Sequence, residues 1–453
     1  MFFRNALFCT ALAASTLATA ADSDVDTSFG IFSTGHNVVS INGGGGNGDA
    51  VAETLVAPDG SLYLVGTTDI AGGQTRIALV HLLANGQLDT GFGNNGHYVG
   101  PTLNIKAAAA AFAANGDILV AGTRRIAGDN TDFTVCRLRN AGVAQFGNTG
   151  LPCITLAFDL GGTLQDTARD IVLLDDGRIA LIGSAAAANG VIEAAVAIIH
   201  SDGTPDVVFG PGGKRHWIQD GLHEVNLHAG VLDSDVIQVV GDAKEEGSPR
   251  LGAFSAWVNF GTGAHLNDKI DYLADANGQA FYRDVVLDNG PSLRILAVGG
   301  VLQNGKYRGV LTRVNQFGDY DTSWANGNGY ATINAGESVQ LTKIVKQSDG
   351  KLLVAGTLQK TGFTGSSLLV GRYNANGSLD LGSFNLLQGY REIDFQMPGN
   401  YDYGAVLALQ YGKPVLAGSV QASGSNTDYD FGVARLENDL IFADRFGSSP
   451  QDN

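Results

Sequence analysis

Residues 58–67 read PDGSLYLVGT, and residues 76–93 read RIALVHLLANGQLDTGFG. Asp59-Gly60 is a turn dipeptide feeding a short apolar run that ends at Gly66. A second apolar run, Ile77 to Leu83, ends at the Asn85-Gly86 turn, and a further glycine follows Phe92. Two runs of strand length joined by glycine turns, with no room for a helix, make an antiparallel hairpin.

The pattern recurs to the end of the chain. The glycine closing the first apolar run reappears at Gly122, Gly183, Gly241, Gly299, Gly356 and Gly418, at spacings of 56, 61, 58, 58, 57 and 62 residues. Seven units of that length leave no space for a separate domain. Each offers four strands; in the first they are Val51 to Ala57, Leu62 to Thr67, Ile77 to Leu83 and a run around His97 to Val99. Solenoid coils are much shorter, and radial closure leaves few exposed strand edges. The expected fold is an all-β, seven-bladed β-propeller of four-stranded antiparallel blades, one domain over 21–447. The segment DVDTSFG (24–30) is the end of a unit without its beginning. The run after it, Asn37 to Ile41, is therefore expected to add the outer strand to the last blade and close the ring.

The repeats D-G-x-(apolar)-V-A-G and R-L-x-x-x-G-x-L-D-x-x-F-G, clearest in 349–384 and 59–93, resemble the delta-60 repeat of bacterial exported proteins. Units four and five depart from it, with Ser234-Asp235 in place of the turn and extra residues around Pro291. The resemblance implies a propeller-like fold and carries no catalytic motif with it.

Composition narrows the setting. With Gly 63 against Pro 10 and no Gly-X-Y period, neither a helical protein nor collagen fits, and 44% apolar residues supply a large core. Residues 1–20 read as an export signal: Arg4, the apolar stretch Ala6 to Ala18, and Ala18-Thr19-Ala20 before cleavage near Ala20/Ala21. Phe8 before Cys9 is too large for a lipoprotein cleavage site. No other run approaches the roughly 18 apolar residues that span a bilayer. A secreted or periplasmic monomer is expected, without membrane insertion and with a disordered tail at 448–453. The formal net charge of −17 opposes nucleic-acid binding. Cys136 and Cys153 remain after export; they fall in runs expected to neighbour each other, so they form a cross-strand disulfide or pack as two thiols.

Site candidates come from the first strand of each unit, expected to be innermost. Placing the units on the same register sets Glu53, Ala109, Asp170, His228, Arg283, Lys343 and Ala405 in one column. Four positions earlier stand Asp49, Ile105, Asp166, Glu224, Gln279, Val339 and Tyr401. Both columns are polar for strands otherwise made of Ala, Val and Leu. Charges at such positions either pair around a wet pore or hold a ligand. Asp49, Asp166 and Glu224 carry the oxygen ligands a cation such as Ca²⁺ prefers. His216, His223 and His228 lack the helical i, i+4 spacing of a zinc-protease site. The Asp of the L-D-x-x-F-G copies (Asp89, Asp206, Asp321, Asp380) reads as turn chemistry. The phenylalanines Phe29, Phe92, Phe146, Phe209 and Phe446 are expected to pack between blades. Three functions fit this pattern: a module binding a protein, glycan or small polar ligand, a metal-assisted hydrolase or lactonase-like enzyme, or a structural envelope component.

Overall fold

In the computed structural model the described residues are 22–438, apart from 33, 42, 44–47, 140–141, 147–149, 274–277, 289–293, 386 and 426. The expected export segment, the tail, Phe446, Pro291 and the middle of the Gly43–Gly48 run lie outside them.

The chain is all-β, and its antiparallel pairings fall into successive four-stranded sets; the parallel pairs Thr131–Gln165 and Ile192–Glu224 also link the second, third and fourth sets. The first comprises Asp49–Val56, Leu62–Ile70, Gln74–Leu82 and His97–Val99. The second runs Ile105–Phe112, Ile118–Ala127, Asn130–Arg139 and Cys153–Leu156, and Gly142–Val143 also pairs with its third strand. The third contains Gly161–Leu173, Ile179–Ala187, Ile192–Ile199 and Lys214–Trp217. The fourth contains Leu222–Asp233, Val236–Glu245, Leu251–Asn259 and His265–Asp271. Next come Ala280–Leu287, Arg294–Gln303, Lys306–Asn315 and Tyr330–Ile333, then Ser338–Lys346, Leu352–Gln359, Ser366–Tyr373 and Tyr390–Ile393. The last set, Asp402–Gln410, Lys413–Gln421 and Tyr429–Arg435, takes its outer strand from the other end of the chain. There His36–Val39 pairs antiparallel with Tyr429–Arg435, His36 opposite Ala434.

The core lies between sets rather than within them. Sheets polar at their rims bury both faces only by stacking. Clusters join each set to the next, such as Phe133, Phe146 and Phe158 with Ile179, Leu181 and Ile199. One cluster joins Leu62, Leu64 and Val80 of the first set to Val415 and Phe431 of the last. Phe29, Phe146 and Phe209 are fully buried, whereas Phe92 is half-buried. Phe146 lies against Gly203 of the following set, and Phe29 against Gly86. Trp324 fills the same role over Gly377, in a copy whose aromatic is not phenylalanine.

The L-D-x-x-F-G aspartate does more than cap a turn. One oxygen of Asp89, Asp206, Asp321 and Asp380 accepts a local N–H, as in Gly91 N–H to Asp89 Oδ1 at 3.0 Å. The other meets a cationic or imidazole side chain: His81 beside Asp89 at 2.8 Å, Arg178 beside Asp206, Arg313 near Asp321, and Arg372 beside Asp380 at 2.9 Å. Asp26 repeats the arrangement with Arg435 at 2.7 Å.

The repeat glycine has a steric cause. In every set the first strand carries a register irregularity opposite or beside that glycine, between Val51 and Glu53, Ala107 and Ala109, Ala168 and Asp170, Leu227 and Ala229, Tyr282 and Asp284, Leu341 and Lys343, and Tyr403 and Val406. The bulge swings a carbonyl toward the second strand. A methyl on Gly66, Gly122, Gly183, Gly241, Gly299 or Gly356 would overlap a carbonyl oxygen of the first strand. Gly183→Ala, which meets Thr167 O, is expected to lower stability by about 1–3 kcal/mol through overpacking. Urea unfolding checks this; an unchanged midpoint would mean the bulge adjusts freely.

Cys136 and Cys153 stand directly opposite each other on neighbouring strands, with their Sγ atoms 2.06 Å apart in a disulfide. No helix among the described residues is long and apolar enough to cross a membrane.

Candidate functional site

A strand alternates its side chains between faces, but a bulge puts two successive residues on one side. Each first strand therefore sends a dipeptide into a shared cavity of about 340 Å³: Ala52-Glu53, Ala108-Ala109, Arg169-Asp170, His228-Ala229, Arg283-Asp284, Thr342-Lys343 and Gly404-Ala405. The column Glu53, Asp170, His228, Arg283 and Lys343 expected from sequence lines this one space. By strand register, however, Ala229 and Asp284 occupy the place of Glu53 and Asp170, and His228 and Arg283 are the bulged residues before them. Turns of unequal length in these units displace a simple count by one. Asp284 was missed for that reason, and Arg169 because alternation assigns one lumen residue to each strand.

The charges here are largely paired. Lys343 Nζ lies 2.8 Å from Glu53 Oε2 and 3.9 Å from Asp284 Oδ1. Asp284 Oδ2 accepts the Ile344 N–H at 2.8 Å, and Asp170 Oδ2 accepts the Gly230 N–H at 2.8 Å, each from the following set. Burial pushes the Asp170 carboxyl up to about 7, against the pull of Lys343. Burial also raises Asp284. Burial alone would depress Lys343, but Asp284, Glu53 and Asp170 outweigh it and hold the ammonium well above the usual lysine range. His228 Nε2 is 2.6 Å from Asp242 Oδ1, which Arg283 Nη1 also approaches at 3.0 Å. Burial, with Arg283 and Arg169 nearby, drives the imidazole down to about 4 despite that carboxylate. At neutral pH His228 is uncharged.

Asp49, Asp166 and Glu224 line neither this cavity nor the larger basin beside it. Asp49 Oδ2 accepts the Ile41 N–H at 3.0 Å, and Asp166 Oδ2 accepts the Phe158 N–H at 2.6 Å. These are equivalent positions, opposite Thr68 and Ala185, and Asp402, opposite Val420, is the third of the kind. Burial raises all three carboxyls to about 6. Glu224 stands 3.3 Å from Lys244 and 3.8 Å from His223. Among the described residues no three Asp, Glu, His or Cys side chains gather closely enough to hold a metal ion.

The second space is a basin of about 910 Å³ between the first three sets. Its walls include the Asp69–Gly73 hairpin, Asn104, Lys106, Thr123, Arg125, Asp129, Thr131, Gln165 and Thr167. It meets the smaller cavity at Ala107, Ala108 and Arg169, which line both. Hairpin tips of different units build it, so no single column in the sequence reveals it.

Residues 57–92 and 347–382 match a family model described as a domain of unknown function (DUF5122) beta-propeller. With the convergent first strands, that match defines the fold as a β-propeller. No curated protein matches the chain. Among solved structures, a protein of unknown function from Dyadobacter fermentans DSM 18053 is similar at 10% identity, covering 89% of this chain and 99% of that one, with a TM-score of 0.42. The propeller domain of the Trilobed protease from Pyrococcus furiosus, described as having an open velcro topology, is 11% identical over 89% and 98% of the two chains, with a TM-score of 0.44. The α-L-arabinofuranosidase Arb93A from Fusarium graminearum is 11% identical over 74% and 93%, with a TM-score of 0.45.

Proposed function

We propose that this chain is an exported binding protein, a seven-bladed propeller closed by its N-terminal strand that takes a small polar ligand into the space above its channel. Closure is supported by His36–Val39 on the last sheet, the parallel bridge from Gly48 to Tyr429, and the apolar cluster shared by the first and last sets. Export is supported by the Cys136–Cys153 bond, which persists in oxidising compartments. Binding rests on one observation: a basin of about 910 Å³ narrows at Arg169 onto a cavity of about 340 Å³, and polar side chains line both. Small-molecule sites are concave spaces of this size, with a few convergent polar groups.

Ala108 lines both spaces, so Ala108→Phe fills the neck without touching the cores between blades. Thermal-shift screening with sugars, sugar acids and amino acids is expected to give ligands that stabilise the wild type and fail to stabilise this variant. Ligands whose shifts survive in a folded Ala108→Phe would place binding elsewhere and overturn the proposal. A partner captured only through the outer loops would do the same.

A further inference from the structure

We infer that the basin selects an anion, a carboxylate-bearing polyhydroxylated molecule such as a sugar acid, and seats its carboxylate on Arg169. The inference rests on reading the basin and cavity as the ligand site. Lys106, Arg125 and Arg169 line the basin, and none forms an ion pair with any described residue. Asp69, near the end of its strand, and Asp129, in a hairpin turn, also line it, and neither pairs with these cations. This is unusual in a chain of net charge −17, where carboxylates outnumber cations.

Arg169 is the pivotal member. It is the bulged residue between Ala168 and Asp170, so it stands at the neck rather than in the ladder. The carboxylates around it are otherwise committed: Glu53 to Lys343 and Asp170 to the Gly230 N–H in the cavity, and Asp242, behind it, to His228 and Arg283. Arg169 is exposed along its strand; the protein packed around it and the nearby Arg283 work against its charge, while Asp242 favours it. A guanidinium that makes no direct ion pair in a concave site favours an incoming anion, and its planar fork matches a carboxylate. The remaining walls suit hydroxyl groups. Gln165 and Thr167 face the basin, as does Asn104, whose carbonyl already receives Thr75. Among the described residues no aromatic ring lines it, so a flat apolar ligand finds no stacking partner there.

The test titrates the full chain with galacturonate and with galactose by calorimetry at fixed ionic strength. Wild type, Arg169→Gln, Arg125→Gln and Ala108→Phe are compared, each checked for folding by circular dichroism. Galacturonate is expected to bind, galactose to bind far more weakly, and Arg169→Gln to weaken galacturonate by about tenfold or more. Arg125→Gln, at the lip, is expected to have a smaller, salt-sensitive effect. Galactose binding as tightly as galacturonate, with both lost in Ala108→Phe, would overturn anion selection while leaving the site in place. Galacturonate binding unchanged in both Arg169→Gln and Ala108→Phe would overturn the site as well. Absence of galacturonate binding to the wild type would overturn the inference directly.

Discussion

Arg372→Met is expected to destabilise the protein by about 3–5 kcal/mol, the usual result of removing one partner from a buried ionic network. Arg372 is 1% exposed. Its Nε lies 2.9 Å from Asp380 Oδ2, its Nη1 3.1 Å from Asn438 Oδ1 and its Nη2 2.8 Å from Ser383 Oγ; Asp22 is a further partner, and the Phe384 ring lies beneath at 4.9 Å. Burial would raise the Asp380 carboxyl, but Lys351, Ser383 and Arg372 pull it down to about 2. Taking away the guanidinium leaves that charge to Lys351 and the Ser383 donors and releases the hold on Asp22 and Asn438. Urea denaturation gives the loss directly. Arg372→Lys is expected to recover little, because an ammonium cannot reach so many acceptors at once. Adding Asp380→Asn to Arg372→Met should restore part of the stability; no restoration would mean packing, not charge, sets the effect.

Stability is also expected to peak on the acid side of neutrality, near pH 4–5. The carboxyls of Asp49, Asp166 and Asp402 lie at about 6 and that of Asp170 at about 7, all raised by burial from an ordinary value of 3.8. Between those limits the folded chain keeps protons that the unfolded chain has released. Stability then falls as pH rises through that window. Asp49 and Asp166 are each 1% exposed, and a displacement of this size corresponds to roughly 3 kcal/mol per group. Below pH 4 the sign reverses. Asp380, Asp26 and Asp117, held below the ordinary range mainly by lysine, arginine and hydroxyl partners, give up that stabilisation as they protonate. Urea midpoints at pH 5 should exceed those at pH 8, and Asp166→Asn should flatten the difference. A midpoint rising steadily from pH 4 to pH 8 would show that these carboxyls ionise normally.

The repeating framework was legible because one glycine per unit marks it. A bulge opposite a close carbonyl tolerates no side chain, and that rule prints itself along the chain at Gly66, Gly122, Gly183 and their counterparts. The outer strand His36–Val39 was legible from the incomplete copy at 24–30 that precedes it. The site was only half legible. Strict alternation assigns one lumen residue per strand, so Asp170 was found and Arg169 beside it was not. Asp49 and Asp166 were matched as equivalent positions, but position along a strand does not show where a carboxylate turns; theirs turn to the N–H groups of Ile41 and Phe158. The arginine partners of the turn aspartates were hidden for another reason. Arg178 lies 28 residues before Asp206, at the end of a different turn, just before the strand Ile179–Ala187, and turn propensity carries no trace of it.

The paired projection from each innermost strand separates two kinds of variation. Residues such as Leu64, Val80 and Phe431 hold neighbouring sheets together, while Arg169-Asp170 and Thr342-Lys343 line the central space, with Asp170 and Thr342 each adding one bond to the next sheet. Lineages sharing this scaffold are thus free to rewrite the lumen two letters at a time, trading one specificity for another while the surrounding masonry stays as it was.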